Sequence, residues 1–229
     1  MLKLEIITLF PGLFKEHLKN LPFKRAVEKN LAEINLHNLR DHAIDKRGTV
    51  DGTTYGGGVG MILMIEPIYK ALKEVMNYSD EQMMNFRHNA EKDKTRVILL
   101  SPNGIKFNQK TAENLGETSR IVFICGRYEG VDARIQEHFC TDTISIGDFV
   151  LSGGEIPALA IMEAVVRLIP GTILKEEATK IESFTFGKIE FPQYSKPENF
   201  LGYKVPEMLL SGNHQKIDEW RKLNSKEIQ

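Results

Sequence analysis

Apolar positions follow two different periods along the chain. LEIITLF is an apolar run ended by Pro11-Gly12, and AEINLHNLR alternates around Ile34 and Leu36, so both predict β-strands. A helical pattern starts near Glu66-Pro67, where Ile68, Leu72 and Val75 or Met76 share one face. Three further runs, RVILLSP, RIVFICG and DTISIGDFVL, are rich in β-branched residues and are separated by helix-compatible stretches at 108–116 and 132–139. Near-continuous apolar strands alternating with helices predict an α/β fold, a parallel sheet with helices on both faces. A last helix is expected over 154–169, because Leu159, Met162, Val166 and Ile169 recur at helical spacing and Pro170-Gly171 stops it. Residues 77–95 are polar and lack a clear period, which predicts an exposed excursion without a functional role.

Beyond the last apolar helix the pattern changes. TILKEEATKIESFTFGK is charged and weakly periodic, and EFPQYSKPENFLGYKVP carries several prolines and aromatics. A closing helix is expected in GNHQKIDEWRKL, with Asn213 as its cap and Ile217 and Trp220 or Arg221 on one face. The expected division is a main domain over 1–172, a flexible linker over 173–187 and a small, mainly helical domain over 188–229. Neither internal repeats nor low-complexity tracts interrupt it.

Composition then narrows the partners. With 30 Lys+Arg against 31 Asp+Glu the net charge is −1, so any polyanion must meet a local basic patch rather than a global field. Cys125 and Cys140 have no metal-like spacing, MLKLEIITLF lacks the long apolar core of a signal peptide, and no apolar run is long enough for a membrane helix. The expectation is a soluble protein of the reducing cytoplasm that has no membrane partner and no metal site.

Two glycine-rich segments invite a nucleotide reading, and their spacing refuses the phosphate motifs. In YGGGVGM no lysine follows Gly60, so a P-loop fails; the position three beyond Gly58 is Met61, so the dinucleotide fingerprint fails too. That leaves a flexible turn or a loop that folds over a flat base or sugar. GRYEG follows the strand RIVFIC, and IGDFVLSGGE follows the next strand signal. Both therefore fall at carboxyl ends of buried strands, where open α/β sheets bind ligands. Glycines 147, 153 and 154 clear space there, while the backbone near Ile146 and Leu151 offers the N–H and C=O groups that an adenine edge requires. Strand ends without a cationic phosphate grip suit a phosphate-free nucleoside such as S-adenosylmethionine. The plainer reading of these glycines is caps and turns.

With those residues in view, the chain closely resembles the bacterial tRNA (guanine-N1)-methyltransferase family of the knotted methyltransferase superfamily. The matching pieces are ITLFPG, DKRGTVDGTTYGGGVGMILM, LLSPNG, ICGRYEGVDARI, SIGDFVLSGGE, RLIPG and LLSGNHQKIDEWR, which run from end to end. The resemblance implies a trefoil knot at the cofactor site of the main domain, a homodimer whose active site combines both subunits, and S-adenosylmethionine bent within the knot loops. Carried over by motif, cofactor contacts fall on Leu100, Ser101, Pro102, Gly126, Tyr128, Glu129, Ile146, Gly147, Asp148, Phe149, Val150, Leu151, Gly153 and Gly154. Mg²⁺ is left open as an assistant.

The implied reaction methylates N1 of the guanosine immediately 3′ of the tRNA anticodon, position 37. Guanine N1 carries a proton at neutral pH, so a base must remove it while a cation stabilises charge developing on O6. By motif the arginine is Arg167, before R-x-I-P-G, and the base is Glu182, in IESF where the family has aspartate in D-S-F. Plainer readings are a helix-surface pair of Arg167 with Glu163 and a solvated linker charge at Glu182. The resemblance also implies tRNA contacts at Asp51, Gly58, Asn213 and His214, with His42, Lys46, Arg47 and Arg221 as neighbouring polar groups. Val59 stands where the family has proline in G-G-G-P-G, Gly52 where an acidic residue commonly follows Asp51, and the 77–95 segment is longer than is usual. The rivals are a knotted enzyme that methylates a ribose 2′-hydroxyl and a tRNA-binding module without chemistry.

Overall fold

The computed structural model describes residues 1–174, 182–184 and 187–227. Two compact units, Met1–Leu174 and Lys175–Gln229, divide the chain. In the first, β1 (Leu2–Thr8), α1 (Gly12–Lys15), α2 (Phe23–Glu28) and β2 (Ala32–Asn38) precede a small hairpin of β3 (Asp51–Gly52) and β4 (Ile62–Leu63). Helices α3 (Ile65–Met76), α4 (Asp80–Met84) and α5 (Phe86–Lys92) follow. The unit continues through β5 (Thr95–Lys106), α6 (Gln109–Gly116), β6 (Arg120–Cys125), α7 (Ala133–Phe139), β7 (Asp142–Ser145) and α8 (Glu155–Val166).

The main sheet has the order β2-β1-β6-β5-β7, and its pairings are all parallel. Because successive side chains alternate across a strand, the two faces carry two separate cores. Leu4, Ile6, Ile121, Phe123 and Ile144 pack with Phe23, Leu115, Ile161 and Met162 on one face. Ile7, Val97, Leu99, Val122 and Ile124 pack with Ile68, Leu72, Phe86 and Ile135 on the other. Burial on both sides is what the uninterrupted apolar strands predicted. Helix α8 is apolar nearly all round and deeply buried, and it ends at Val166 rather than Ile169, with Thr172 Oγ1 donating to the carbonyls of Arg167 and Ile169.

The 77–95 segment corrects the sequence expectation of an exposed excursion. It holds two helices, α4 and α5, and buries Tyr78, Met83, Phe86 and Ala90 in the second core. Ser79 accepts from the Gln82 amide and Gln82 returns the bond to the Ser79 amide, a capping box that opens α4. Three of the buried positions, Met83, Phe86 and Ala90, lie at helical spacing, and the many polar residues between them mask that period. The run DTISIGDFVL also falls short of a full strand. Pairing stops at Ser145, and Gly147 at φ +154° turns the chain away.

Strand β5 is irregular where it meets β7. Leu100 and Ile105 both oppose Ile144, so residues 101–104 bulge out between them. Gly104 closes that bulge so tightly that a Cβ there would lie 2.6 Å from the backbone of Ile144. Only glycine fits. Gly104→Ala is therefore expected to lower unfolding stability by about 1–3 kcal/mol. The control Gly116→Ala, in α6 with open space around it, should raise stability by up to about 1 kcal/mol. Urea titration of the two variants checks both.

In the second unit the described residues form short antiparallel pairs, Lys188–Ile189 with Lys226–Glu227 and Asn199–Phe200 with Tyr203–Lys204. They also form the helices Glu207–Leu210 and His214–Asn224. Phe191 and Tyr194 meet Trp220 edge-on. Lys175, Glu176, Glu177 and Lys180, whose charges suggested a solvated linker, lie outside the described residues.

Candidate cofactor cleft and active site

The carboxyl ends of β5, β6 and β7 open into one cleft of about 410 Å³, within the range typical of small-molecule sites. Three segments wall it. Leu100, Ser101 and Pro102 come from the β5 bulge; Gly126, Tyr128 and Glu129 from the turn after β6; Ile146, Gly147, Phe149, Val150, Leu151, Gly153 and Gly154 from the return after β7. The return leaves the edge strand β7 and reaches the end of β6, where Gly153 pairs with Arg127 and the Gly154 amide donates to the Gly126 carbonyl at 2.9 Å. A Cβ on Gly154 would lie 2.8 Å from Cys125 Cα. The glycines thus let two backbones touch, which caps alone would not require.

Asp148 stands apart from the residues grouped with it. It does not line the cleft, and its exposed carboxylate pairs with Lys106. Tyr128 holds φ at +58°, unusual for an aromatic residue, with its ring half exposed at the cleft. Backbone strain of this kind clusters at ligand sites.

The glycine-rich loop before α3 approaches the same turn. Glu129 N–H donates to the Met61 carbonyl at 3.0 Å, and a Cβ on Gly60 would collide with the Glu129 side chain at 2.7 Å. The Leu63 amide donates to Gly130 and the Asp132 amide to Leu63, so the hairpin that carries Asp51 is tied to the GRYEG turn. Gly58 (φ +146°) lies in the connecting loop, where Tyr55 and Val59 are fully exposed.

Arg127 and Glu155 were not assigned roles from the sequence. Arg127 lines the cleft, its guanidinium 4.4 Å above the Phe10 ring and its Nη2 2.9 Å from Glu155 Oε2. Glu155 is buried and accepts from Thr8 Oγ1 at 2.8 Å. The available signal was an arginine inside GRYEG beside a glutamate that ends LSGGE. It was legible only once β1, β6 and α8 were known to converge.

Arg167 follows α8, half-buried, and lines a separate cavity of about 200 Å³ with Leu21, Pro22, Arg25, Glu163 and residues 172–174. Glu163, the proposed surface partner of Arg167, meets His17 at 3.2 Å. Glu182 is half-buried in the second unit. Asn213 caps the helix His214–Asn224 by accepting from the Lys216 amide, and His214 is exposed at its first position. Among the described residues, no group of three or more His, Cys, Asp or Glu is placed to hold a metal ion, and no helix is long and apolar enough to cross a membrane.

The residues fit a neutral-edged nucleoside better than a phosphate. Among the described residues no lysine lines the cleft, and the one arginine that does is engaged by Glu155. The glycines let the three walls pack closely: a Cβ on Gly147 would meet the Phe149 ring at 2.5 Å. Cys125 is not a nucleophile there. Burial, with the nearby Glu155 charge adding to it, pushes its thiol well above the ordinary range.

Comparison with known proteins gives the same direction. The family model described as tRNA (Guanine-1)-methyltransferase TrmD matches residues 2–228. A tRNA (guanine-N(1)-)-methyltransferase of Dehalococcoides mccartyi is 46% identical, over 98% of this chain and 86% of its own length. Proteins of the same name from Staphylococcus carnosus and Dictyoglomus turgidum are 46% and 47% identical, over 96% and 97% of this chain and 84% of their lengths.

The two thiols give a pH-dependent test. Burial pushes Cys140 up to about 12 from its ordinary 9.0. Its folded-state pKa is raised, so the stability it contributes is complete below about pH 9 and is lost as pH climbs toward about 12. Titration with a thiol-reactive disulfide at about pH 8 should find neither cysteine reactive in the folded protein and both reactive in guanidinium. Rapid native labelling of Cys125 would show that the strand end is not sealed as described.

Proposed function

Because the chain belongs to the tRNA (guanine-1)-methyltransferase family and is a methyltransferase, we propose that it transfers a methyl group from S-adenosylmethionine to N1 of guanosine 37 in tRNA. One observation carries the cofactor half of this reading. LLSPNG, GRYEG and SIGDFVLSGGE, far apart in sequence, converge on one cleft whose lining, among the described residues, holds no lysine and only a paired arginine. A triphosphate or dinucleotide would meet no cationic grip there, whereas an adenosine edge would meet backbone N–H and C=O groups along 146–151.

When bound, S-adenosylmethionine supplies an already activated methyl, so the protein must contribute alignment and a deprotonated acceptor. Glu182 takes the proton from guanine N1 and Arg167 stabilises the charge left on O6. Leu100, Ser101, Pro102 and the 146–151 backbone fix the adenosine, with Gly153 and Gly154 keeping the wall thin. Asp51 and the loop through Gly58 face the substrate guanine, and Asn213 and His214 contact the tRNA backbone.

The fold reading extends to a trefoil knot. Supporting it, the return after β7 crosses β5, the strand that carries the 101–104 bulge, before it docks against β6. The assembly proposed is a homodimer with a shared active site. In its favour, Arg167 belongs to a cavity other than the cleft, and Phe149, Val150, Leu151 and Ile156 expose apolar surface beside it. The main domain spans 1–172, a linker 173–187 and the tRNA-binding domain 188–229. The cytoplasm, where tRNA is modified, is the proposed compartment.

Incubation with labelled cofactor and unmodified tRNA tests the reaction. Label should enter tRNA with G at position 37 and not the same tRNA with A there, and nuclease digestion should find it on the base; label on the ribose would overturn the N1 assignment. Glu182→Gln should slow single-turnover methylation by about 10²–10⁴-fold, the range for loss of a general base. Glu182→Asp should keep most activity, and a wild-type rate in the Gln variant would remove Glu182 from the mechanism. Repeating the assay with EDTA reads any contribution from Mg²⁺.

A further inference from the structure

The proposed methyl transfer makes no use of the Arg127–Glu155 pair, yet it ties the turn after β6 to the return after β7 and to the end of β1. Glu155, its side chain 1% exposed, opens α8 and holds Thr8 at the end of β1 through the 2.8 Å bond. The Thr8 hydroxyl in turn accepts from the Phe10 amide at 2.9 Å, and Phe10 lies under the Arg127 guanidinium. On its other side Arg127 Nη1 donates to the Ser152 carbonyl at 3.3 Å. Gly153 makes room for this path, since a Cβ there would fall 2.3 Å from Arg127 Nε.

The pair acts through charge more than through hydrogen bonding. Arg127 Nη2 and Glu155 Oε2 are in ion-pair contact, but Oε2 and Arg127 Nε are both buried without an aligned hydrogen-bond partner. Such a pair gives little net stability, because desolvation of the two ions offsets their attraction. A purely structural role therefore explains it poorly. Its position explains it better. Among the described residues Arg127 is the only cation lining the cleft, and S-adenosylmethionine carries a sulfonium charge that its thioether product lacks. An uncompensated guanidinium in this water-poor setting would oppose the sulfonium and leave the thioether unaffected.

We propose that Glu155 is a positioning residue that holds Arg127 against the Ser152 wall and cancels its charge, which makes the cleft receptive to a sulfonium ligand. The proposal rests on the S-adenosylmethionine reading of the cleft. It predicts a signature that loss of shape alone would not give, a change in preference between the charged donor and the neutral product.

Calorimetric titration with S-adenosylmethionine and S-adenosylhomocysteine reads that preference directly. Glu155→Gln should weaken donor binding by about tenfold more than product binding. The double variant Arg127→Gln/Glu155→Gln removes both charges and should restore the wild-type ratio. The mirror variant Arg127→Gln leaves a lone carboxylate and should shift the ratio toward the donor. Should Glu155→Gln not fold, as judged by circular dichroism, the other two variants decide the matter. Equal losses for both nucleosides, or an unchanged ratio in Arg127→Gln, would overturn the compensation role. Failure of the wild-type protein to bind either nucleoside would instead sink the cofactor reading on which the proposal rests.

Discussion

The cleft exists because two stretches of backbone are allowed to touch. Gly154 sets the first turn of α8 against Cys125 and Gly126, and Gly104 sets the β5 bulge against β7. With side chains at either place, the return after β7 could not lie against the end of β6, and the three walls would stand apart. Everything proposed for the site inherits this constraint. The adenosine edge needs the 146–151 backbone, that backbone is anchored where Gly153 pairs with Arg127, and Arg127 is itself anchored by Glu155. A parallel sheet supplies the remaining condition, since strands that all point one way bring their carboxyl ends to a single edge.

Much of this was legible in the residues. Uninterrupted apolar strands foretold burial on both faces, and glycines at successive strand ends marked the segments that meet at one cleft. The cofactor segments carried over by motif do converge, with Asp148 turned away toward Lys106. Two things were hidden for physical reasons. The helices α4 and α5 bury only one narrow side, so Met83, Phe86 and Ala90 are outnumbered by polar neighbours and their period is hard to see. The Arg127–Glu155–Thr8 network joins residues that are 28 or more positions apart, and periodicity says nothing about contacts of that kind. The capping box at Ser79 and Gln82 was a local signal that a closer reading could have used.

Electrostatics separates the cleft from the chemistry proposed for it. At the cleft Arg127 is matched by Glu155, the Cys125 thiol is held neutral by burial, and Glu129 adds one further carboxylate to the lining. Of the two groups proposed to handle the guanine charge, Arg167 lines a cavity of its own after α8 and Glu182 belongs to the second unit. On the proposed reading, a cofactor site and an acceptor site place opposite demands on local charge, and carrying them on different elements lets each be met.

This separation has a consequence for when the active site is complete. A cation that must act only on the charge of a deprotonated guanine gains nothing by sitting beside the sulfonium beforehand, because there it would raise the energy of the bound cofactor. In the proposed homodimer, residues that meet only when tRNA and a second subunit are in place would avoid that cost. The proposed general base, Glu182, is one methylene longer than the family's aspartate, a difference that changes reach more than it changes basicity.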